Sequence, residues 1–141
     1  MKFYVLTILS VCFFQGSDNY ILGKWKIKSY SAINKIKESP AYMFGDENSR
    51  ELLDKQFEAI LTNGEYNFDK DTLRYTDIQG QNLKTRKAHW VIKKNVITIK
   101  EIDRPFERQA FVHFLSKDSL VISPIIDEDV GDSQIIFSKI Y

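Results

Sequence analysis

The residue types that usually carry out chemistry are scarce in this sequence, and their spacing matches no catalytic motif. There are two histidines, His89 and His113, and a single cysteine, Cys12. The 141 residues contain no nucleophile motif, His-x-x-x-His pair, paired metal-binding cysteines or glycine-rich phosphate loop. We therefore expect neither an enzyme nor a bound cofactor.

Two groups of acidic residues offer the remaining chemistry. Glu101, Asp103 and Glu107 cluster around one predicted loop, where paired carboxylates can do acid–base work, but nothing in the sequence nearby raises a pKa. Segment 127–132, DEDVGD, supplies oxygen ligands suited to Ca²⁺ but lacks the residue order and the distal glutamate of an EF-hand. We interpret both groups as solvated loops and predict no metal site.

Residues 1–16, MKFYVLTILSVCFFQG, are typical of a signal peptide. One positive charge precedes about a dozen mostly apolar residues, which is shorter than the roughly 20 needed to span a bilayer. We expect the mature domain to cover residues 17–141 and to be secreted or periplasmic. Processing has two alternatives. Leu9–Cys12 resembles a lipobox, with Val11 in place of the usual small residue, and lipidation at Cys12 would anchor the protein to a membrane; ordinary cleavage near Gly16 would not.

The balance of charge excludes one class of partner. Of the 20 Lys and Arg residues only Lys2 lies in the leader, so the mature chain has 19 basic and 19 acidic side chains. A neutral chain with interspersed signs lacks the basic surface of a nucleic-acid-binding protein. We expect no nucleic-acid partner.

Most segments after the leader alternate apolar and polar residues with a period of two, which predicts antiparallel strands. Three hairpins are predicted, with turns at Asn63-Gly64, Lys94-Asn95 and Lys117-Asp118. Partners across each turn must share a face, so the turns predict which residues point inward. The predicted inward pairs are Leu61 with Tyr66, Ala59 with Phe68, Ile92 with Ile97, Trp90 with Ile99, Leu115 with Leu120 and His113 with Ile122.

Segment 34–56 interrupts this alternation. Asn48 and Glu51 have the spacing of a capping box, which predicts a short helix over 49–56, within an insertion near 46–56 that closes one end of the barrel. The hairpin at 111–123 is a second exception, because its outer face is also apolar where Phe114 meets Val121.

The first predicted strand begins with Gly23 and Trp25, and it resembles the Gly-x-Trp start of lipocalins. In that superfamily the tryptophan packs across the closed end of the barrel, and a basic side chain of the last strand covers the ring; Lys139 is the matching position. Segments LGKWKIKS, FEAILTNGEYNF, HWVIKKNVITI, LSKDSLVIS and IIFSKIY follow the order of the short lipocalin-like proteins secreted by Bacteroidota-type bacteria. The resemblance implies an all-β, mainly antiparallel, up-and-down barrel of about eight strands.

Aromatic residues on the predicted inner face suggest a small apolar ligand in the barrel. The predicted cavity-lining residues are Tyr66, Phe68, Trp90, Phe111 and His113. For His113 the alternatives are a core imidazole bonded to a backbone carbonyl and a shift of strand register that turns it outward. Gly23, Trp25 and Lys139 are expected to close the barrel instead. The alternative is a packed barrel, since about eight strands leave room for either side chains or one ligand. The function would then be contact with a protein partner through the 111–123 hairpin.

Overall fold

The computed structural model describes residues 20–80 and 82–141. The predicted signal peptide at 1–16 and the candidate lipidation site at Cys12 lie outside these ranges. Nine strands lie in one sheet. They are β1 (Gly23–Tyr30), β2 (Glu65–Phe68), β3 (Thr72–Gln79), β4 (Asn82–Lys93), β5 (Val96–Glu101), β6 (Glu107–Leu115), β7 (Ser119–Ile126), β8 (Asp129–Val130) and β9 (Ile135–Ile140).

Eight of these strands close an antiparallel barrel. Each strand from β1 to β7 pairs with the next, β7 pairs with β9, and β9 returns to β1. The two-residue strand β8 adds only to the edge of β7. The predicted up-and-down barrel of about eight strands is confirmed, and closure leaves no long unpaired edge.

Three helices join β1 to β2: α1 (Ser31–Glu38), α2 (Pro40–Met43) and α3 (Glu47–Asn63). The prediction of a hairpin turning at Asn63-Gly64 is wrong, because residues 57–63 continue α3 as helix. The predicted cap is also wrong, since Asp46, not Asn48, accepts the hydrogen bond from Ser49 N at 3.3 Å. Within the described residues, none of the helices is both long and apolar enough to cross a membrane.

The helix prevails at 57–63 because the apolar residues of this segment fit the helical period. Phe57, Ile60 and Leu61 alternate poorly but lie three and four positions apart, so they share one helical face. Phe57 is buried, and α3 packs against β1 and β3. An existing helix adds residues at little cost, whereas a new strand would need a partner.

Gly64 ends α3 at a point of close approach to β1. A Cβ there would lie 2.3 Å from the carbonyl oxygen of Ile60 and 2.6 Å from Cδ1 of Ile27. The Gly64 carbonyl accepts from Ile27 N at 3.0 Å, which ties the helix end to the first strand. Only glycine fits this contact without displacement.

The hairpin between β4 and β5 matches its prediction in detail. Ile92 pairs with Ile97 and Trp90 pairs with Ile99. The turn residues Lys94 and Asn95 have φ values of 51° and 62°, as a two-residue hairpin of this type requires.

The hairpin between β6 and β7 has the predicted turn but a different register beyond it. Leu115 pairs with Leu120 and Phe114 with Val121, but a bulge then follows, and Val112 rather than His113 pairs with Ile122. One extra residue reverses the two faces of the rest of the strand. The prediction that Phe111 and His113 point inward is therefore wrong.

The barrel interior is a single apolar core contributed by all eight barrel strands. Its best-buried large side chains include Trp25, Phe68, Leu73, Leu120 and Phe137, each at most 2% exposed. This core fills one part of the barrel and leaves a cavity at one end.

Candidate functional site

A cavity of about 660 Å³ lies at the end of the barrel where β1, β5 and β7 end and β6 and β9 begin. Its wall includes apolar side chains from four strands: Ile99, Ala110, Ile122 and Ile135. Tyr30 lines the cavity immediately before the helical insertion starts, so the insertion leaves the barrel at this same end. None of the described helical residues lines the cavity.

The insertion instead supports the neighbouring β3–β4 hairpin. Gln56 Nε2, on α3, donates to the Gly80 carbonyl in the hairpin turn at 3.0 Å. Leu52 and Ala59 of the same helix line a small groove with Ile78 and Leu83 of the hairpin. The sequence predicts that the insertion closes one end of the barrel, but the insertion instead packs against the β3–β4 hairpin beside the opening.

Of the five predicted cavity residues, only Tyr66 lines the cavity. Its ring packs at 5.0 Å from Phe137 and 5.4 Å from Tyr75, centre to centre. Burial raises the pKa of the Tyr66 hydroxyl, and the nearby Arg108 cation opposes that shift. The phenol therefore stays protonated near neutral pH and can donate a hydrogen bond.

Phe68 and Trp90 face inward as predicted but belong to the packed part of the core. Their rings meet edge to face at 5.1 Å. The indole of Trp90 donates to the Asp69 carbonyl at 2.7 Å, which satisfies its one polar atom. Neither side chain lines the cavity.

Phe111 and His113 pack against each other on the outer side of the barrel wall, with their rings 5.0 Å apart. His113 is exposed, and its Nε2 lies 2.7 Å from the hydroxyl of Ser123 on β7. Ser123 is fully buried, and this contact gives its hydroxyl a hydrogen-bond partner.

Gly23, Trp25 and Lys139 meet where the first and last strands pair. Trp25 is directly opposite Lys139, whose Nζ lies 4.5 Å from the centre of the indole ring. The indole donates to the Ile21 carbonyl at 2.8 Å. Gly23 has a φ of 118°, and a Cβ there would lie 2.9 Å from the lysine side chain.

The lipocalin-like domain family matches residues 21–122 of this sequence. This chain belongs to that family. Among curated proteins there is no similar sequence. The resemblance drawn from the sequence is thus confirmed, and the contact of Trp25 with Lys139 is the arrangement that this resemblance implied.

Two solved structures share the lipocalin-like fold. A lipocalin-like protein from Bacteroides uniformis has a TM-score of 0.52 and 17% identity, covering 86% of this chain and 99% of that chain. An uncharacterized protein from Bacteroides eggerthii has a TM-score of 0.50 and 12% identity, covering 84% and 98% respectively. At these identities the likeness concerns the fold.

An ionic network borders the cavity of this lipocalin-like barrel. Arg86, only 8% exposed, donates to Asp77 at 2.6 Å and to Asp103 at 3.2 Å. The carboxylate of Glu101 is closed to solvent and accepts from both Arg104 and the Tyr75 hydroxyl. The prediction that Glu101 belongs to a solvated loop with Asp103 and Glu107 is wrong for Glu101, which is buried at the end of β5.

The pKa values in this network follow from its hydrogen bonds. The Arg104 guanidinium, followed by the Tyr75 hydroxyl, lowers the pKa of Glu101 to about 2 in spite of its burial. Burial, followed by the hydrogen bond to Glu101, raises the pKa of Tyr75 to about 12. At neutral pH Glu101 is therefore ionised and Tyr75 protonated, so the pair is structural.

Arg108 lies between this network and the cavity, and sequence reasoning missed it. Its guanidinium carbon is 4.8 Å from the centre of the Tyr75 ring and 5.9 Å from that of Phe106. Arg108 also lines the cavity. The bulge beside His113 turns the Arg108 side chain inward. No local pattern in the sequence predicts that bulge.

No group of three or more His, Cys, Asp or Glu side chains within residues 20–80 and 82–141 is arranged to hold a metal ion. The acidic segment 127–132 instead contributes the turn between β7 and β8, where Asp127 and Glu128 have φ values of 51° and 69°. Both side chains lie at the mouth of the cavity.

Proposed function

We propose that this protein binds one small, largely apolar ligand in the cavity at the open end of its barrel. The cavity carries this proposal. Its volume of about 660 Å³ lies within the range of roughly 300–1,000 Å³ that is usual for small-molecule sites. The lipocalin-like barrel supports this proposal, since its interior is apolar.

Binding fits the site better than catalysis does. The buried carboxylate, Glu101, has a pKa of about 2 and both its oxygens are engaged, so it is a weak base at neutral pH. The exposed His113 lies outside the barrel and cannot reach a ligand inside it. The remaining cavity wall is mainly aliphatic and aromatic.

The competing role as a protein-binding scaffold has weaker support. Phe114 is 55% exposed on the outer face of the 111–123 hairpin. Its neighbours Phe111 and Val121 are only half-exposed, and the His113–Ser123 contact places polar atoms among them. The apolar outer surface is therefore interrupted, whereas most of the cavity wall is aliphatic or aromatic.

We further propose that the protein works outside the cytoplasm, secreted or held at the cell envelope. The apolar leader at 1–16 supports this location, and Cys12 would be the point of attachment if it is lipidated. The mass of the mature amino terminus distinguishes a diacylated cysteine from cleavage near Gly16.

The ligand proposal is tested by a thermal-shift screen of the mature protein against fatty acids, sterols and isoprenoids. We expect at least one class to raise the melting temperature, by an amount that grows with the logarithm of the ligand concentration once this exceeds Kd. The variant Ile135→Trp, which places an indole in the cavity mouth, should abolish that shift. Ile136→Trp is the matched control, because the neighbouring residue faces the opposite side of β9 and pairs with Val121.

Two results would contradict the proposal. One is the absence of a shift with every compound in the screen. The other is an equal loss of the shift in Ile135→Trp and Ile136→Trp, which would show that the effect does not come from the cavity.

A further inference from the structure

Arg108 has hydrogen-bond donors that nothing in the described part of the chain satisfies. Its Nε and Nη2 atoms are closed to solvent and have no hydrogen-bond partner. The two other arginines of this end of the barrel are paired, Arg86 with Asp77 and Arg104 with Glu101. A guanidinium destabilises the protein when its donors are withdrawn from water without hydrogen-bond partners. The unpaired donors of Arg108 therefore indicate a functional role.

The neighbouring acids are already engaged. Glu101 accepts from Arg104 and Tyr75, and Asp77 accepts from Arg86. The Arg108 guanidinium lies over the Tyr75 ring, a cation–π contact that leaves its Nε and Nη2 donors without hydrogen-bond partners. The unused atoms, Nε and Nη2, form one edge of the guanidinium, the geometry that binds the two oxygens of a carboxylate.

We propose that the ligand carries a carboxylate, which Arg108 binds through its Nε–Nη2 edge while the apolar remainder of the ligand occupies the cavity. This inference rests on the proposed function and specifies its ligand class. The aliphatic wall of Ile99, Ala110 and Ile122 is available to the apolar part. Binding requires the Nε–Nη2 edge to turn from its closed position towards the ligand, by rotation about the terminal torsions of Arg108.

Tyr66 supplies a second donor. Its hydroxyl lies beside the Arg108 guanidinium and on the same cavity wall. Because the phenol is protonated near neutral pH, it can donate to a carboxylate oxygen that Arg108 also contacts. Two donors of different geometry would select a planar anion over a single hydroxyl group.

Acidic side chains at the mouth oppose entry of an anion but only weakly. Glu107, Asp127 and Glu128 line the opening and are exposed, so salt screens them. The donors of Arg108 are buried and less screened. Added salt should therefore speed the association of a carboxylate with this site.

The test compares dodecanoic acid with dodecan-1-ol at pH 7.5, using calorimetry on the mature protein. These probes have the same alkyl chain and differ in the head group alone. We expect the acid to bind about ten- to a hundredfold more tightly, as a charge-assisted pair implies. Arg108→Met should remove this preference, so that acid and alcohol bind this variant with equal affinity, and Tyr66→Phe should reduce the preference in part.

Arg74→Met is the control, since Arg74 is exposed on β3 and does not line the cavity. If Arg108→Met does not fold, Arg108→Lys keeps the charge without the two-donor edge and should still lose most of the preference. Equal affinity of the wild type for acid and alcohol would overturn this inference and leave the proposed function standing. Failure of both probes to bind would also overturn this inference, whereas the proposed function fails only if every compound of the thermal-shift screen fails as well.

Discussion

The ammonium of Lys139 lies 4.5 Å from the centre of the Trp25 ring and donates to the carbonyls of Tyr20 and Leu22. Lys139 belongs to the last strand and Trp25 to the first, so this contact lies across the seam where the barrel closes. Burial lowers the pKa of Lys139, yet the ring and the two carbonyls favour its charged form.

Replacement of this cation should weaken the seam. Lys139→Met keeps most of the alkyl stem and should lower the free energy of unfolding by about 1 kcal/mol, the order of one cation–π contact. Lys139→Arg should retain the stability, because a guanidinium stacks well on an indole. Urea denaturation measures both, with the exposed Lys100→Met as control. Equal midpoints for Lys139→Met and Lys100→Met would rule out a role for the contact.

Glu101 should make the fold sensitive to acid. Its pKa of about 2 in the folded protein lies below the ordinary 4.5, so its stabilising effect is complete above pH 4.5 and is lost as the pH falls towards 2. Glu101→Gln should be about 1–3 kcal/mol less stable than wild type at pH 7, because Arg104 and Tyr75 lose a charged partner.

The difference between Glu101→Gln and wild type should shrink between pH 4.5 and pH 2. Chemical denaturation at several pH values measures it. Glu107→Gln is the matched control, since Glu107 is exposed and makes no ion pair with the described residues. A difference that stays constant with pH would contradict the assignment.

Gly64→Ala should destabilise the junction between α3 and β1. The added methyl group would lie 2.3 Å from the Ile60 carbonyl oxygen and 2.6 Å from Ile27 Cδ1, so the helix end must shift. We expect a loss of about 1–3 kcal/mol, the usual cost of overpacking. Asn63→Ala, one residue earlier at an exposed helical position, should have little effect in the same unfolding assay. Comparable stability of the two variants would show that the junction accommodates the added methyl group without cost.

The bulge in β6 predicts that His113 affects stability but not ligand binding. His113→Ala removes the partner of the buried Ser123 hydroxyl and should cost about 1 kcal/mol. Its affinity for a cavity ligand should equal that of wild type, because the imidazole lies outside the barrel. Calorimetric titration with the best compound of the thermal-shift screen provides the measurement, and a weakened affinity would show that β6 has the register without a bulge.

Strand pairing was predicted correctly where a tight turn in the sequence fixes which residues face each other. Lys94 and Asn95 form a tight turn, so the pairing of Trp90 with Ile99 follows by counting residues on either side. The same count from Lys117-Asp118 is right for Leu115 and Leu120 and fails two residues later. The error begins at the bulge, whose extra residue depends on how β6 fits two neighbouring strands at once.

Segment 57–63 shows a second limit. Its residues suit a strand beside Tyr66 and also a helix continuing from Glu47, and packing of α3 against β1 and β3 selects the helix. Tyr66 still faces inward, because its partners are Trp25 and Tyr75 rather than Leu61. The inference about Tyr66 was thus right although its predicted partner was wrong.

The amino-acid sequence by itself determined the antiparallel strands and the two-residue turn at Lys94-Asn95, because alternation and turn chemistry act over a few residues. The closed barrel and the contact of Lys139 with Trp25 were instead implied by the resemblance to lipocalins. Only the tertiary structure decided that Arg108 faces the cavity and that His113 does not. The physical reason is that strand faces alternate with a period of two, so a single bulged residue, placed by pairing with distant strands, exchanges the inner and outer side chains.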